Sequence, residues 1–200
     1  MDHLDRTDRP GATAGAPSSD PPPPVRVFLL CGPAGSGKST RARALEAKGW
    51  ARLSLDVAAW REGYRDHPLP DDVTVRLKAR LRQECVELVR AGRDVVVDLS
   101  FWSRAMRDDY RALLRPLGVV PVTIYLPTPR EVVLARLARR AGTGPDDVVV
   151  TPETASRYLD GFEPPTPDEG PLEVLEHHHG AAPARPPEWR DHAGDHRIDE

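Results

Sequence analysis

Asparagine is missing from all 200 residues, and Gln83 is the sole glutamine. A chain without asparagine cannot supply the N-K-x-D segment that reads guanine in regulatory GTPases. Asp98-Leu99-Ser100-Phe101 also lacks the glycine of their D-x-x-G switch, so that class is excluded. Lysine is scarce, at Lys38, Lys48 and Lys78, and arginine carries nearly all of the basic charge, a bias expected of a GC-rich genome. The two cysteines, Cys31 and Cys85, form no framework spacing and read as reduced thiols of a cytoplasmic protein. No apolar run approaches the roughly 20 residues of a membrane span. The opening MDHLDRTDRPGATAG has neither the basic start nor the apolar stretch of a secretion signal.

A net charge of −3 argues against nucleic acid as the main partner, since a nucleic-acid binder shows a basic footprint. Residues 1–24 cluster Pro, Gly, Ser and Asp, bury too little apolar area to order themselves, and are expected to be a disordered tail. The stretch 180–200 has the same character, and His177, His178 and His179 are taken with it as tail. One domain, 25–179, lies between.

Within that domain, apolar runs alternate with amphipathic segments, the pattern of an α/β fold with a parallel sheet. VRVFLLC, DVVVDL and VVPVTIYL are largely apolar, as strands covered on both faces must be. The pattern predicts strands Val25–Cys31, Ala51–Leu55, Asp94–Leu99 and Val119–Leu126, with a short further strand around Leu172–Glu176. It predicts helices Lys38–Lys48, Asp72–Ala91, Arg104–Arg115, Pro129–Arg140 and Pro152–Asp160. Gly49 and Gly92 stand where helices should stop. Thr128-Pro129-Arg130-Glu131 reads as an N-cap, a proline at the first helical position and a capping-box glutamate, and Thr151-Pro152 repeats the first two.

Gly32-Pro33-Ala34-Gly35-Ser36-Gly37-Lys38-Ser39 fits G-x-x-x-x-G-K-[ST], with an apolar strand before it and a helix after it. Its glycines let successive backbone N–H groups turn inward around phosphate oxygens, and the helix N-terminus adds its positive end. Lys38 is expected on the β- and γ-phosphates and Ser39 on Mg2+, with Thr40 a neighbour in the nucleotide site. ATP or GTP is the implied cofactor.

Two aspartates fall at the carboxyl ends of strands, where open parallel sheets hold their ligands. Asp98 ends Val95-Val96-Val97-Asp98, a Walker-B pattern that orients magnesium; the plainer reading is a turn cap. Asp56 follows Arg52-Leu53-Ser54-Leu55 and can accept the proton of an attacking hydroxyl, or else caps the helix that starts at Val57.

The stretches CGPAGSGKST, RLSLDVAAW, VVVDLSFWSRAMRDDY, LARLARR and VTPETASRYLDGFEPPTPDEGPL resemble the small P-loop kinases of the AAA_33 type. That group is akin to zeta toxins, chloramphenicol phosphotransferase and the kinase domain of polynucleotide kinase. The resemblance spans Phe28 to Leu175. It implies a P-loop NTPase three-layer α/β/α sandwich with a central, mostly parallel sheet, and phosphoryl transfer with Asp56 where such kinases often carry their base. Related sequences often place an arginine three residues after that aspartate. Here Ala59 stands there, and Arg61 is the nearest arginine.

Arg136 and Arg140, four apart, would share a helix face ahead of a Gly-rich stretch, and a lid spanning about 136–155 is expected to bring them onto the transferred phosphoryl group. A solvated basic helix end is the alternative. Arg104 and Arg107 start the helix after Asp98 and are candidates for holding an anionic acceptor, or are surface charges. Trp60 and Trp102, with Tyr64 and Phe101, would line a pocket for a ring-bearing acceptor or pack beneath the lid. The expected function is a kinase acting on a hydroxyl of a small molecule such as a nucleoside, antibiotic or sugar. A polynucleotide 5′-hydroxyl kinase and a non-catalytic nucleotide-binding module are the alternatives.

Overall fold

The structure, a computed structural model, describes residues 24–65 and 67–175. The expected tails, Pro24 apart, and the three histidines lie outside the described residues.

Period-two alternation divides the sheet's side chains between two cores. In β1 (Val27–Cys31), Val27, Leu29 and Cys31 point to one face and Phe28 and Leu30 to the other. The first set packs with Leu53, Val95 and Val97 of β2 (Ala51–Ser54) and β3 (Val95–Asp98) against α3 (Asp71–Arg90) and α4 (Arg104–Leu114). The second packs with Val96 and Ile124 against Ala42 and Leu45 of α1 (Lys38–Glu46). Three layers result. The burial stripe of α3, Val73, Leu77, Leu81, Cys85 and Val89, returns every four residues, as a helix lying flat on a sheet requires.

The five strands run in the order β2-β3-β1-β4-β5, with β4 Val122–Tyr125 and β5 Leu172–Val174, and all four pairings are parallel. This is the expected α/β/α sandwich, with the short last strand present. Register sets Leu29 opposite Val97 and Ser54 opposite Asp98, which brings the carboxyl ends of β1, β2 and β3 to one edge. A short helix α2 (Leu55–Arg61) follows β2, and α5 (Arg130–Leu137) and α6 (Pro152–Asp160) pack as a satellite around Val133, Leu137 and Ala155. Thr151 caps α6 as expected, accepting from the Thr154 N–H. Thr128 does not cap α5. Pro129 takes the cap position, and the Thr128 hydroxyl donates to the Leu126 carbonyl instead.

Arg107 is buried to 0% exposure. It was a candidate for an anionic acceptor or a surface charge, and it is neither. Its guanidinium pairs with Glu169 through two bonds of 2.6 and 2.7 Å, and donates to the carbonyls of Phe101 at 3.0 Å and Glu163 at 2.9 Å. Ser100 and Phe101 have φ of 67° and 42°, left-handed values that cost energy in non-glycine residues. Arg107 and the Cys31 thiol hold that turn from behind through the Phe101 carbonyl.

Removing one partner of a buried pair costs about 3–5 kcal/mol, and Glu169→Ala is expected to lose that much in urea denaturation. Bonds from Arg107 outweigh burial and hold the Glu169 carboxyl down to about 2 from an ordinary 4.5. Because the folded value lies below the unfolded one, this stability is complete above about pH 4.5 and disappears as pH falls through about 2. Unfolding midpoints followed downward from about pH 6 should therefore drop more steeply in the wild type than in Glu169→Gln.

Candidate active site

The loop between β1 and α1 works because its glycines do what other residues cannot. Gly32 has φ 148°, and a Cβ there would stand 2.8 Å from Ser36 Oγ and 2.9 Å from the Leu126 carbonyl oxygen. Gly37, at φ 98°, is the N-cap of α1, and no side chain caps that helix. Its first N–H groups are therefore left for an anion. Lys38 is 7% exposed, with Nζ donating to the Pro33 carbonyl at 2.8 Å. Burial pushes its pKa down, opposed first by the Asp98 carboxylate and then by Asp56. The ammonium and both carboxylates thus share one electrostatic site, as the strand ends require.

A cleft of about 890 Å³ opens from this loop. Pro33, Ala34, Gly35, Gly37, Lys38, Ser39 and Thr40 line it, while Gly32 and Ser36 lie behind, Gly32 donating its N–H to the Ser100 carbonyl. Asp56, Asp98, Arg136, Arg140 and Trp102 line it as well.

Asp98 is buried at the end of β3, and its Oδ2 accepts from Arg52 Nη2 at 2.9 Å. The same Arg52 reaches Asp146 of the α5–α6 connection at 2.5 and 3.2 Å. Neither Arg52 nor Asp146 stands out in the sequence, because Arg52 sits inside an apolar strand pattern and Asp146 inside a polar turn.

Asp56 is the second residue of α2, and Ser54 is the cap, its Oγ accepting from the Val57 N–H at 3.3 Å. The capping alternative for Asp56 is thereby corrected. Its side chain is 39% exposed at the cleft, with Oδ1 3.3 Å from His67 Nε2. Ala59 is 2% exposed in the core, so the position three residues on faces away from the cleft.

The helix that opens the expected lid is shorter than the sequence pattern implies. It ends at Leu137, so Arg136 and Arg140 do not share a helix face; Arg140 follows in the connection to α6. Both still reach the cleft, Arg136 bonding the Gly35 carbonyl and Arg140 the Val148 carbonyl, each at 3.0 Å.

Three other expected acceptor residues stand elsewhere. Trp60 is stacked under Arg65, 3.9 Å from ring centroid to guanidinium carbon, and does not line the cleft. Arg61 ends α2 exposed and away from it. Arg104 pairs with Asp168 and Asp108 at the surface. In their place His67, Leu69, Thr74, Lys78, Met106 and Tyr158 line the cleft, together with Trp102. The spacing of Asp71, Thr74 and Lys78 on one face of α3 is the signal that could have found part of it.

The family model AAA_33, described as an AAA domain, matches residues 27–165. Comparison with curated proteins finds no match. Among solved structures, a protein of Chloroflexus aurantiacus provisionally described as a kinase is similar at 18% identity and TM-score 0.62, covering 77% of this chain and 89% of its own. A sugar kinase from Janibacter sp. HTCC2649 is similar at 23% identity and TM-score 0.55, covering 76% and 86%. A gluconokinase from Sinorhizobium meliloti is similar at 22% and 0.52, covering 76% and 82%. At these identities the likeness concerns the fold. Among the described residues no helix is long and apolar enough to cross a membrane.

Lys38→Ala is expected to weaken triphosphate binding about 10–100-fold, the worth of a charge-assisted bond of about 1.5–3 kcal/mol. The melting temperature should hold or rise, because the variant no longer buries an ammonium. Calorimetric titration with ATP, alongside a thermal melt, reads both.

Proposed function

The chain belongs to the AAA_33 family of P-loop domains, and from that premise we propose that it is a kinase transferring the γ-phosphoryl group of ATP or GTP, with magnesium, to a hydroxyl of a small molecule. One observation carries the reading. The Asp56 carboxylate is part-exposed in the same cleft that Lys38 and the phosphate loop line, open to an acceptor hydroxyl that enters it. A module that only binds nucleotide needs no such group.

The residues fit the magnesium. Ser39 and Asp98 offer hard oxygens beside the phosphate loop, and among the described residues no cluster of three or more His, Cys, Asp or Glu forms a closed cage. Magnesium takes one or two protein oxygens and completes its shell with phosphates and water. When bound, it supplies charge neutralisation on the β- and γ-phosphates. Lys38 and the free N–H groups of α1 hold the phosphates. Arg136 and Arg140 give up carbonyl contacts for the phosphoryl oxygens and exclude water. As the acceptor oxygen bonds to the γ-phosphorus, its proton passes to Asp56 and the bond to the leaving nucleoside diphosphate breaks. His67 fixes Asp56 from the far side.

The outer wall supports a compact acceptor with an apolar face. Trp102 and Tyr158 are 48% and 43% exposed beside Leu69 and Met106, which suits a sugar or other ring better than an open chain. Lys78 lines that wall with no hydrogen-bond or ionic partner among the described residues. The solved neighbours described as a sugar kinase and a gluconokinase support the same class.

Asp56→Asn preserves size while removing the basic oxygen. Single-turnover transfer is expected to fall about 10²–10⁴-fold, the range for loss of a general base, with triphosphate affinity changed less than about threefold. Equal transfer rates in wild type and variant would remove Asp56 from the mechanism.

A further inference from the structure

The α5–α6 connection is built around two adjacent aspartates with different tasks. Asp147 serves the loop itself, accepting from the N–H groups of Ala141 and Thr143 and from the Thr143 hydroxyl. Asp146 turns the other way, across the cleft. It meets Arg52 of β2 through both terminal guanidinium nitrogens and Arg43 of α1 at 3.5 Å, and it lines the same cleft as Ser39. Arg43 lies one turn after Ser39 on the same face of α1, so its contact sets Asp146 on the side of that helix that carries Ser39, the residue expected to hold magnesium. Arg52 is 5% exposed, and its Nη2 lies between Asp146 and the strand-end Asp98.

A serine hydroxyl that offers its lone pair to a metal needs an acceptor for its proton. Resting on the magnesium-nucleotide reading above, we infer that Asp146 is a positioning residue supplying that acceptor from the lid, and that Arg52 ties it to Asp98. Closing the connection over the cleft and ordering the two magnesium-facing oxygens then become one event. The observation that distinguishes this from a surface latch is burial. A surface pair would leave Asp98 out of the contact and Arg52 in solvent, whereas Arg52 is enclosed and bonded to both carboxylates.

The test uses the full chain and ADP as probe, with affinity measured calorimetrically in excess magnesium and in EDTA. The ratio of the two affinities isolates the metal. Asp146→Ala should lower that ratio about 10–100-fold, the usual effect of removing a partner behind a metal ligand. Asp146→Asn keeps an oxygen for Ser39 and should retain most of it. If Asp146 acts through Ser39, its loss should add nothing in the Ser39→Ala background, which a purely structural contact would not produce. Amides 138–150 should also exchange faster in nucleotide-free Asp146→Ala than in wild type. An unchanged ratio in Asp146→Ala, or full additivity with Ser39→Ala, overturns the inference. A wild type whose ADP affinity ignores magnesium overturns the magnesium-nucleotide reading itself, and this inference with it.

Discussion

The guanidinium of Arg107 joins parts of the chain that would otherwise meet only loosely. It sits at 0% exposure between the left-handed turn after β3, the helix that follows, and the segment 163–169 that leads into β5. A charge in that position is tolerable only with a full set of acceptors, and Glu169 with two backbone carbonyls provides it. The arrangement also locates the site. The Phe101 carbonyl that it grips belongs to the turn carrying Trp102 into the cleft, and the Ser100 carbonyl accepts the N–H of the first P-loop glycine. The back of the phosphate loop and the Trp102 side of the cleft are thus referenced to one buried side chain.

Within the cleft the same logic works in reverse. Lys38 rests on one carbonyl, Arg136 and Arg140 on one each, and burial pushes the Lys38 pKa down. These are cations held by weak acceptors that phosphate oxygens can replace with gain. Arg52, bonded to two carboxylates, is held far more firmly and behaves as framework. The contrast between loosely and firmly satisfied cations separates groups poised for a ligand from groups that shape its site.

Much of this was legible in the chain itself. Continuous apolar runs and the glycines at 49 and 92 marked the sheet and its helices, and the G-x-x-x-x-G-K-S spacing with Asp56 and Asp98 marked the cleft. The helix through Arg140 stops early, at Leu137, and the Thr128 cap gave way to a hydroxyl bond back to Leu126. Arg107 was misjudged because its partner Glu169 lies 62 residues away, and sequence proximity carries no information about such a pair. A still longer separation, 94 residues, hid Arg52 and Asp146. Long-range polar contacts depend on the finished fold, whereas strand and helix periods arise from local sterics and burial.

The most direct measurement is the fate of the γ-phosphoryl group. Wild-type protein with magnesium and γ-labelled ATP or GTP is incubated with sugars, sugar acids, nucleosides, hydroxylated antibiotics and a 5′-hydroxyl oligonucleotide, and the label is followed by separation of products. The account predicts label on the hydroxyl of a sugar or another small ring-bearing acceptor, in amounts matching the diphosphate formed. Label moving to the oligonucleotide alone, or bound triphosphate that no acceptor consumes, would contradict it.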